Sequence, residues 1–217
     1  MSQDVEHDAA GDVERGRALA GRDVQVPQDG EGTPARGPWV IPHPKGGTVT
    51  PEPPAITLRA VRDDDLPHFF AHQQDATAAW MAAFTAPDPA DAAAFAAHWA
   101  RVRADPSATN RTIERAGRVL GHIASFVQGG ETEITYWLDR ACWGQGVATA
   151  ALVAFLAQLP ARPLYARAAD DNHGSLRVLH KAGFRLIGRE RGFAYARGAT
   201  IEEVVLRLDE QDATNGE

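Results

Sequence analysis

The sequence predicts one α/β domain that follows a disordered N-terminal arm. Three observations indicate this organisation. Short extended segments alternate with longer amphipathic ones between residues 55 and 210, a pattern typical of a sheet covered by helices. Two glycines, one residue apart, separate an extended segment from an apolar helical run. Residues 1–54 are rich in charged residues, glycine and proline, and they show no persistent apolar period.

The first 54 residues cannot bury enough apolar surface to offset the entropy that they would lose on ordering. We therefore expect residues 1–54 to be a disordered arm with an extended, proline-marked end. Residues 55–210 are expected to form the folded domain, and residues 211–217 a disordered tail. A solvated extension and a partner-binding segment are both compatible with the composition of the arm.

The elements of the domain follow from local patterns. The first strand alternates, three aspartates at 63–65 cap the amphipathic segment after it, Ala116 and Gly117 mark a hairpin turn, and Gly183 ends the last helix. The predicted order is a strand over 56–61, an amphipathic segment over 63–72, helices over 76–84 and 88–104, strands over 111–114, 118–128 and 133–138, a helix over 147–159, a strand over 163–168, a helix over 172–182, and strands over 184–188 and 201–208.

Composition argues against several classes of function. A net charge of −7 disfavours a broad nucleic-acid-binding surface. The only cysteine, Cys142, excludes an internal disulfide and a clustered-cysteine zinc site, and it fits a reducing cytoplasm. The histidines include no H-E-x-x-H pattern, so we expect no metal site. No apolar run reaches the length of a membrane span.

The segment 142–149 predicts an anion-binding site. Gly144 and Gly146 stand where an extended segment gives way to a helical pattern. At such a junction the first N–H groups of the helix point outward, the helix dipole adds partial positive charge, and glycine lets a phosphate approach the backbone. The loop lacks the lysine of a nucleotide-triphosphate loop and the glycine spacing of a dinucleotide fingerprint. We therefore predict a phosphorylated small molecule of another kind.

Two motifs resemble those of the GCN5-related N-acetyltransferases. The segment Trp143-Gly144-Gln145-Gly146-Val147-Ala148 is similar to the family's Q/R-x-x-G-x-G/A pyrophosphate loop, with Trp143 where the pattern has Gln or Arg. The segment 172–184, NHGSLRVLHKAGF, is similar to the family's N-x-x-S-x-x-x-L-x-K-x-G-F segment and follows at the family's spacing. The Trp-Gly-x-Gly form is common in the Rim-like subgroup, which resembles the ribosomal-protein N-terminal acetyltransferases.

The resemblance implies a mixed, mostly antiparallel sheet that is splayed between its fourth and fifth strands. It also implies acetyl-CoA as co-substrate, no metal, and direct transfer of the acetyl group to a primary amine in a ternary complex. Backbone groups at the end of the fourth strand would hold the pantetheine arm, and amides of the glycine loop would hold the pyrophosphate. The coenzyme-binding residues predicted in this way are Tyr136, Trp137, Leu138, Trp143, Gly144, Gln145, Gly146, Val147, Ala148, Thr149, Asn172 and Ser175.

Ser175, Tyr136 and Glu133 are the candidate catalytic residues. By resemblance, Asn172 touches the pantetheine and Ser175 lies near the sulfur, where its hydroxyl can protonate the departing thiolate. The alternative is that Asn172 only caps its helix and that Ser175 is its neighbour in the capping turn. Alternation along the fourth strand leaves Tyr136 facing either the acceptor site or the core.

The chain departs from the relatives that acetylate a ribosomal-protein N-terminus. Those relatives use a glutamate on the fifth strand and a tyrosine on the following helix, and these positions are Arg167 and Leu179 here. A base could instead be Glu131 or Glu133 acting through water, or none is needed if the amine arrives neutral. A solvated charge at the end of the strand is the other interpretation of both glutamates.

We therefore expect a cytoplasmic N-acetyltransferase whose acceptor is a peptide N-terminus, an amino acid, a polyamine or an aminoglycoside-like amine. The alternative is a catalytically weak acyl-CoA-binding module whose arm recruits a partner. We expect no membrane or nucleic-acid partner, and a homodimer is compatible with the family. The candidates for the acceptor wall are Trp80, Met81, Phe84 and Trp99, although the helical spacing of most of them also fits the core.

Overall fold

The computed structural model describes residues 55–210, so the predicted arm and tail lie outside the described residues. The strands are β1 Thr57–Ala60, β2 Thr109–Arg115, β3 Arg118–Gln128, β4 Glu131–Leu138, β5 Leu164–Ala169, β6 Arg185–Ala194 and β7 Ala199–Leu208. The helices are α1 Leu66–Gln73, α2 Ala76–Ala82, α3 Ala92–Ala104, α4 Val147–Leu156 and α5 His173–Lys181. None of these five helices is long and apolar enough to cross a membrane.

The seven strands form one mixed sheet in the order β1-β2-β3-β4-β5-β7-β6. Every neighbouring pair is antiparallel except β4 and β5, which run parallel. The parallel ladder contains only three residue pairs, from Thr132 with Leu164 to Ile134 with Ala166. Beyond Ile134 the two strands diverge, whereas β4 stays paired with β3 as far as Leu138. The predicted α/β fold, with a sheet splayed between strands 4 and 5, is confirmed.

The two faces of the sheet differ in chemistry. One face packs under α4 and α5, where Leu152, Phe155, Leu164 and Leu206 are fully buried in the main core. Burying each such side chain stabilises the fold by about 1.5–3 kcal/mol relative to leaving it exposed. The other face lies under α1 and α3, and there aromatic rings pack with polar groups, beginning with Phe69 on Trp99 at 5.0 Å between ring centroids.

A buried carboxylate fixes the position of α1. Asp65 accepts hydrogen bonds from Arg59 at 2.6 Å, from Thr112 at 2.7 Å and from the N–H of Arg62 at 2.8 Å. Burial acts to raise the pKa of Asp65, but these hydrogen bonds outweigh it and lower the pKa to about 2. The network ties the start of α1 to β1 and β2, and so holds Phe69 against the sheet.

The two largest differences between the predicted and the observed boundaries have identifiable reasons. Helix α3 begins at Ala92 rather than at 88, because Asp88 forms a turn with the N–H of Ala90 and Asp91 caps the helix instead. Strand β6 continues to Ala194 rather than ending at 188, because it pairs with β7 along its whole length. Its polar sequence carries no strand pattern, since an edge strand that is mostly exposed does not need apolar alternation.

Candidate active site

The glycine loop leaves the start of α4 open. Gly146 is the N-cap residue in a left-handed conformation with φ of 77°, and Gly144 has φ of 72°. A Cβ placed on either glycine would meet no heavy atom within 4 Å, so there is open space beside both residues. The first hydrogen bond of the helix runs from the N–H of Ala150 to the carbonyl of Gly146. The amides before Ala150 therefore have no acceptor within the helix and can bind an anion.

Three side-chain contacts hold this loop in place. The indole N–H of Trp143 donates to the carbonyl of Leu138 at 3.3 Å, and the amide of Gln145 donates to the carbonyl of Ala141 at 2.7 Å. Arg115, from the β2–β3 hairpin, donates to the Oε1 of Gln145 at 3.2 Å. The contact brings a positive charge beside the predicted phosphate site. Sequence reasoning missed Arg115, because only the hairpin pairing brings it to a loop 30 positions later.

The start of α5, in contrast, is closed by its own side chain. The Oδ1 of Asn172 accepts from the N–H of Ser175 at 3.0 Å, and its Nδ2 donates to the carbonyl of Met81 at 2.9 Å. Asn172 is thus an N-cap that also ties α5 to α2. Its amide keeps one N–H and one lone pair beyond these two bonds. The predicted contact of Asn172 with the pantetheine stays a prediction.

Two of the predicted catalytic residues are brought together. Tyr136 points to the α4 and α5 face, packs against the main core, and places its hydroxyl 2.8 Å from the Oγ of Ser175. Burial raises the pKa of Tyr136 to about 12, against a smaller opposing effect of the bond to Ser175. The tyrosine therefore keeps its proton at neutral pH, so the pair can supply a proton to an atom beside it.

The third predicted catalytic residue lies on the opposite face. Glu133 is only 5% exposed, so the interpretation of it as a solvated charge is wrong. Its Oε1 accepts from Arg167 at 3.0 Å, and Arg167 also bonds Glu190 at 2.8 Å and Glu131 at 3.4 Å. Burial acts to lower the pKa of Arg167, but the carboxylates outweigh it and raise that pKa. One guanidinium thus serves three carboxylates, and it belongs to the residue that stands where the family resemblance would have a glutamate on the fifth strand.

A cleft of about 310 Å³ opens on this second face, where the pairing of β4 and β5 ends. Ile134 and Thr135 lie at its base with Glu133 and Arg167. Its aromatic walls are formed by Phe69, Phe84, Phe95, Trp99, Phe126 and Trp137. Phe84 and Trp99 thus line a cleft, whereas Met81 and Trp80, which is 52% exposed, are not among its lining residues.

His122 belongs to the wall of the same cleft, between Phe69 and Trp99. Burial lowers the pKa of His122 to about 3, so the imidazole is neutral at physiological pH. His68 and His72 stand four residues apart on α1, a spacing that zinc ligands use. Within residues 55–210, however, no group of three or more His, Cys, Asp or Glu side chains is placed to hold a metal ion.

A comparison with solved structures finds acetyltransferases. One is RimJ of Mycobacterium smegmatis in complex with CoA-disulfide, at 21% identity over 75% of this chain and 85% of that one, with a TM-score of 0.62. A second is the spermidine N-acetyltransferase of Vibrio cholerae in complex with CoA and spermine, at 16% identity over 71% and 95%, with a TM-score of 0.63. A third is the ribosomal-protein-S5-alanine acetyltransferase of Vibrio fischeri, at 17% identity over 74% and 96%, with a TM-score of 0.55.

These identities show a shared fold and nothing finer. A comparison with curated proteins gives no match. A family model described as an acetyltransferase (GNAT) domain matches residues 55–185, which cover β1 to the start of β6 and include both sequence motifs. The chain therefore belongs to the GNAT acetyltransferase family, as the glycine loop and the segment 172–184 predicted.

Proposed function

We propose that this protein transfers the acetyl group of acetyl-CoA to a primary amine by direct attack within a ternary complex. The observation that carries the proposal is the open, glycine-capped start of α4 beside the diverging end of β4. The likeness to structures named as complexes with CoA supports the choice of co-substrate. The Rim-like form of the loop, Trp143 to Gly146, supports a relation to that subgroup.

The residues of the loop fit a pyrophosphate. The space over Gly144 and Gly146 is open, and the amides from Gln145 to Thr149 include those that the helix leaves unpaired. Arg115 adds a positive charge at the same place. On β4, residues 135–138 have no strand partner on the β5 side within the described part of the chain, so backbone groups of this segment are available to an amide-bearing arm, apart from the carbonyl of Leu138 that Trp143 holds.

Acetyl-CoA, when bound, supplies a thioester whose C–S bond breaks as a C–N bond forms to the amine, while one proton leaves the nitrogen and one is taken up by the sulfur. Tyr136 and Ser175 can supply the second proton. Because the pKa of Tyr136 is about 12, its hydroxyl stays protonated, and it can replace a proton that Ser175 gives up across the 2.8 Å bond between them.

Glu133 has a different role in this proposal from that of a free base. The Oε1 of Glu133 accepts from Arg167 at 3.0 Å, and a carboxylate can accept hydrogen bonds at both of its oxygens. Glu133, bonded to Arg167, is therefore suited to attract and orient the amine. Loss of the amine proton then proceeds through water, or the amine arrives neutral.

The test is to add acetyl-CoA to the purified protein and to follow the release of free thiol across a mixed amine library. Thermal unfolding with and without the coenzyme is recorded in parallel, because a ligand of the folded state raises the melting temperature. We expect amine-dependent thiol release together with thermal stabilisation. Stabilisation without thiol release for any amine would favour the acyl-CoA-binding module. The absence of both thiol release and stabilisation would contradict the anion site itself.

A further inference from the structure

We infer that the acceptor is a small primary amine carried on an apolar, aromatic-sized body, and that it binds in the aromatic cleft with its nitrogen beside Glu133. The inference rests on the proposed acetyl transfer and narrows its acceptor. It is drawn from the lining of the cleft, from its size and from the charge at its base.

The lining and the size select the body of the acceptor. Six aromatic side chains form the walls, and they bury apolar and aromatic ligand surface most favourably. A volume of about 310 Å³ lies at the small end of ligand sites, which span about 300–1,000 Å³. Such a cleft matches a compact ring on a short chain. Besides Glu133 and Arg167, its polar lining residues are Gln73, His98, His122 and Thr135, which are too few to hydrogen-bond a long polar molecule along its length.

The charge at the base selects the amine end. Glu131, Glu133 and Glu190 surround the single cation of Arg167, so this cluster carries an excess of negative charge. Glu133 and Arg167 are its members that line the cleft. An ammonium group is attracted to the carboxylates at the floor of the cleft, whereas an acceptor with its own carboxylate is repelled by them. Further ammonium groups, as in a polyamine, would have to lose water against the aromatic walls.

His122 supports the same assignment. It is neutral, so it adds no positive charge that would oppose an ammonium group. Its Nδ1 is buried and has no hydrogen-bond partner among residues 55–210. A buried polar atom without a partner is uncommon in native structures and calls for an explanation. A polar group carried by a molecule in the cleft would provide the missing bond, as donor or as acceptor according to the tautomer of the imidazole.

The experiment compares kcat/KM for five acceptors with saturating acetyl-CoA: 2-phenylethylamine, L-phenylalanine, L-phenylalaninamide, spermidine and a short peptide that begins with alanine. We expect 2-phenylethylamine to exceed spermidine and the peptide at least tenfold, and L-phenylalaninamide to exceed L-phenylalanine. The highest value for spermidine, for the peptide or for L-phenylalanine would overturn the inference while leaving acetyl transfer intact. An absence of thiol release with every amine would instead remove the proposed function, and the inference with it.

Two variants test the cleft directly. Glu133→Gln is expected to raise the KM for 2-phenylethylamine at least tenfold, while Glu202→Gln, which removes an exposed carboxylate on β7, leaves it unchanged. Because Glu133 is buried, its variant is first checked for unchanged stabilisation by acetyl-CoA.

The second variant, Phe95→Ala, removes the ring of a half-buried wall residue on α3. Alanine is a good helix former, so the helix is preserved. This variant should raise the KM for 2-phenylethylamine about fivefold and leave that for spermidine unchanged, and equal effects on both amines would overturn the assignment.

Discussion

The helices α4 and α5 begin in opposite ways, although both starts belong to the predicted coenzyme site. Helix α4 starts at a left-handed glycine, has no side-chain cap, and exposes its first amides. Helix α5 starts at Asn172, whose side chain takes the N–H of Ser175 and also holds the carbonyl of Met81. One start is left for a ligand to complete, and the other is completed by the protein itself.

The difference separates binding from positioning. A side-chain cap at a helix start contributes about 0.5–2 kcal/mol of stability, and α4 forgoes it. An oxygen of a capping side chain at that position would compete with a phosphate for the same amides. The cap on α5 has the opposite effect, because it fixes Ser175 within reach of Tyr136. We therefore expect changes at α4 to act on coenzyme affinity, and changes at α5 to act on turnover and stability.

The largest expected effect comes from the hydroxyl pair at α5. Tyr136→Phe and Ser175→Ala should each lower kcat about 100-fold, within the range of general acid catalysis, because each breaks the route of a proton to the sulfur. The double variant should lose little more than either single one. Steady-state thiol release measures all three.

The pH profile gives an independent check on the same pair. Because the pKa of Tyr136 is raised to about 12, kcat should not fall between pH 8 and 10, where a tyrosine of ordinary pKa would begin to ionise. A kcat for Tyr136→Phe within twofold of the unmodified protein would remove the proton-transfer role.

The second effect tests the open start of α4. Gly146→Ala should weaken acetyl-CoA binding about tenfold, or about 1.4 kcal/mol, because a left-handed alanine is strained and its methyl group enters the space that a phosphate would occupy. Calorimetric titration measures the affinity. Gly130→Ala is the matched control, since Gly130 also has a positive φ and open space but lies in the β3–β4 turn. Equal losses of affinity in both variants would show strain alone.

The third effect tests the closed start of α5. Asn172→Ala should lower the free energy of unfolding by about 1 kcal/mol, because an N-cap is lost. Asp91→Ala removes the cap of α3, away from the coenzyme site, and should cost a similar amount. If Asn172 also touches the pantetheine, only Asn172→Ala weakens acetyl-CoA binding beyond its effect on stability. Denaturant titration and calorimetry on both variants separate the two roles, and identical behaviour would make Asn172 a cap alone.

The smallest effect concerns the charge beside the loop. Arg115→Gln should weaken acetyl-CoA binding only a few-fold, by under about 1 kcal/mol, since an exposed charge is screened by solvent. The deficit should shrink further as salt rises from 0.05 to 0.5 M, because the Debye length shortens. Arg103→Gln on α3 is the control, and an Arg115 deficit that does not respond to salt would contradict an electrostatic contact with phosphate.

Much of this architecture could be predicted from the sequence, because it depends on local chemistry. Gly146 marks a helix start, Asn172 is a capping residue, and Gly183 ends a helix at a φ of 94°. Each of these signals depends only on a few neighbouring residues. The alternation of β4 is local as well. It limited the side chain of Tyr136 to one of two faces of the sheet but did not decide between them. The order of elements along the chain came from the same local patterns, and the splay between strands 4 and 5 came from the family resemblance.

The chemistry of the second face could not be predicted, because it depends on pairing between distant segments. Glu133 reads as a solvated strand end until β5 places Arg167 beside it and β6 adds Glu190. Trp80 shares a helical apolar pattern with buried neighbours, yet it is exposed, and the guanidinium of Arg197 lies 5.1 Å from the centre of its ring. A helical pattern cannot anticipate a cation supplied from a segment more than a hundred residues away.

The short ladder between β4 and β5 has a further consequence for how the chain assembles. Strands β1 to β4 all precede residue 139, and β5 to β7 all follow residue 163, so the sheet consists of two plates that are consecutive in the sequence. Three residue pairs form the seam between them. Within the plates, short turns join β2 to β3, β3 to β4 and β6 to β7, whereas the partners across the seam lie 32 residues apart in the sequence, so the seam costs more entropy to close than any of these hairpins. A molecule bound in the seam would contact strands of both plates, so it would stabilise the sheet at the point where the pairing between them is shortest.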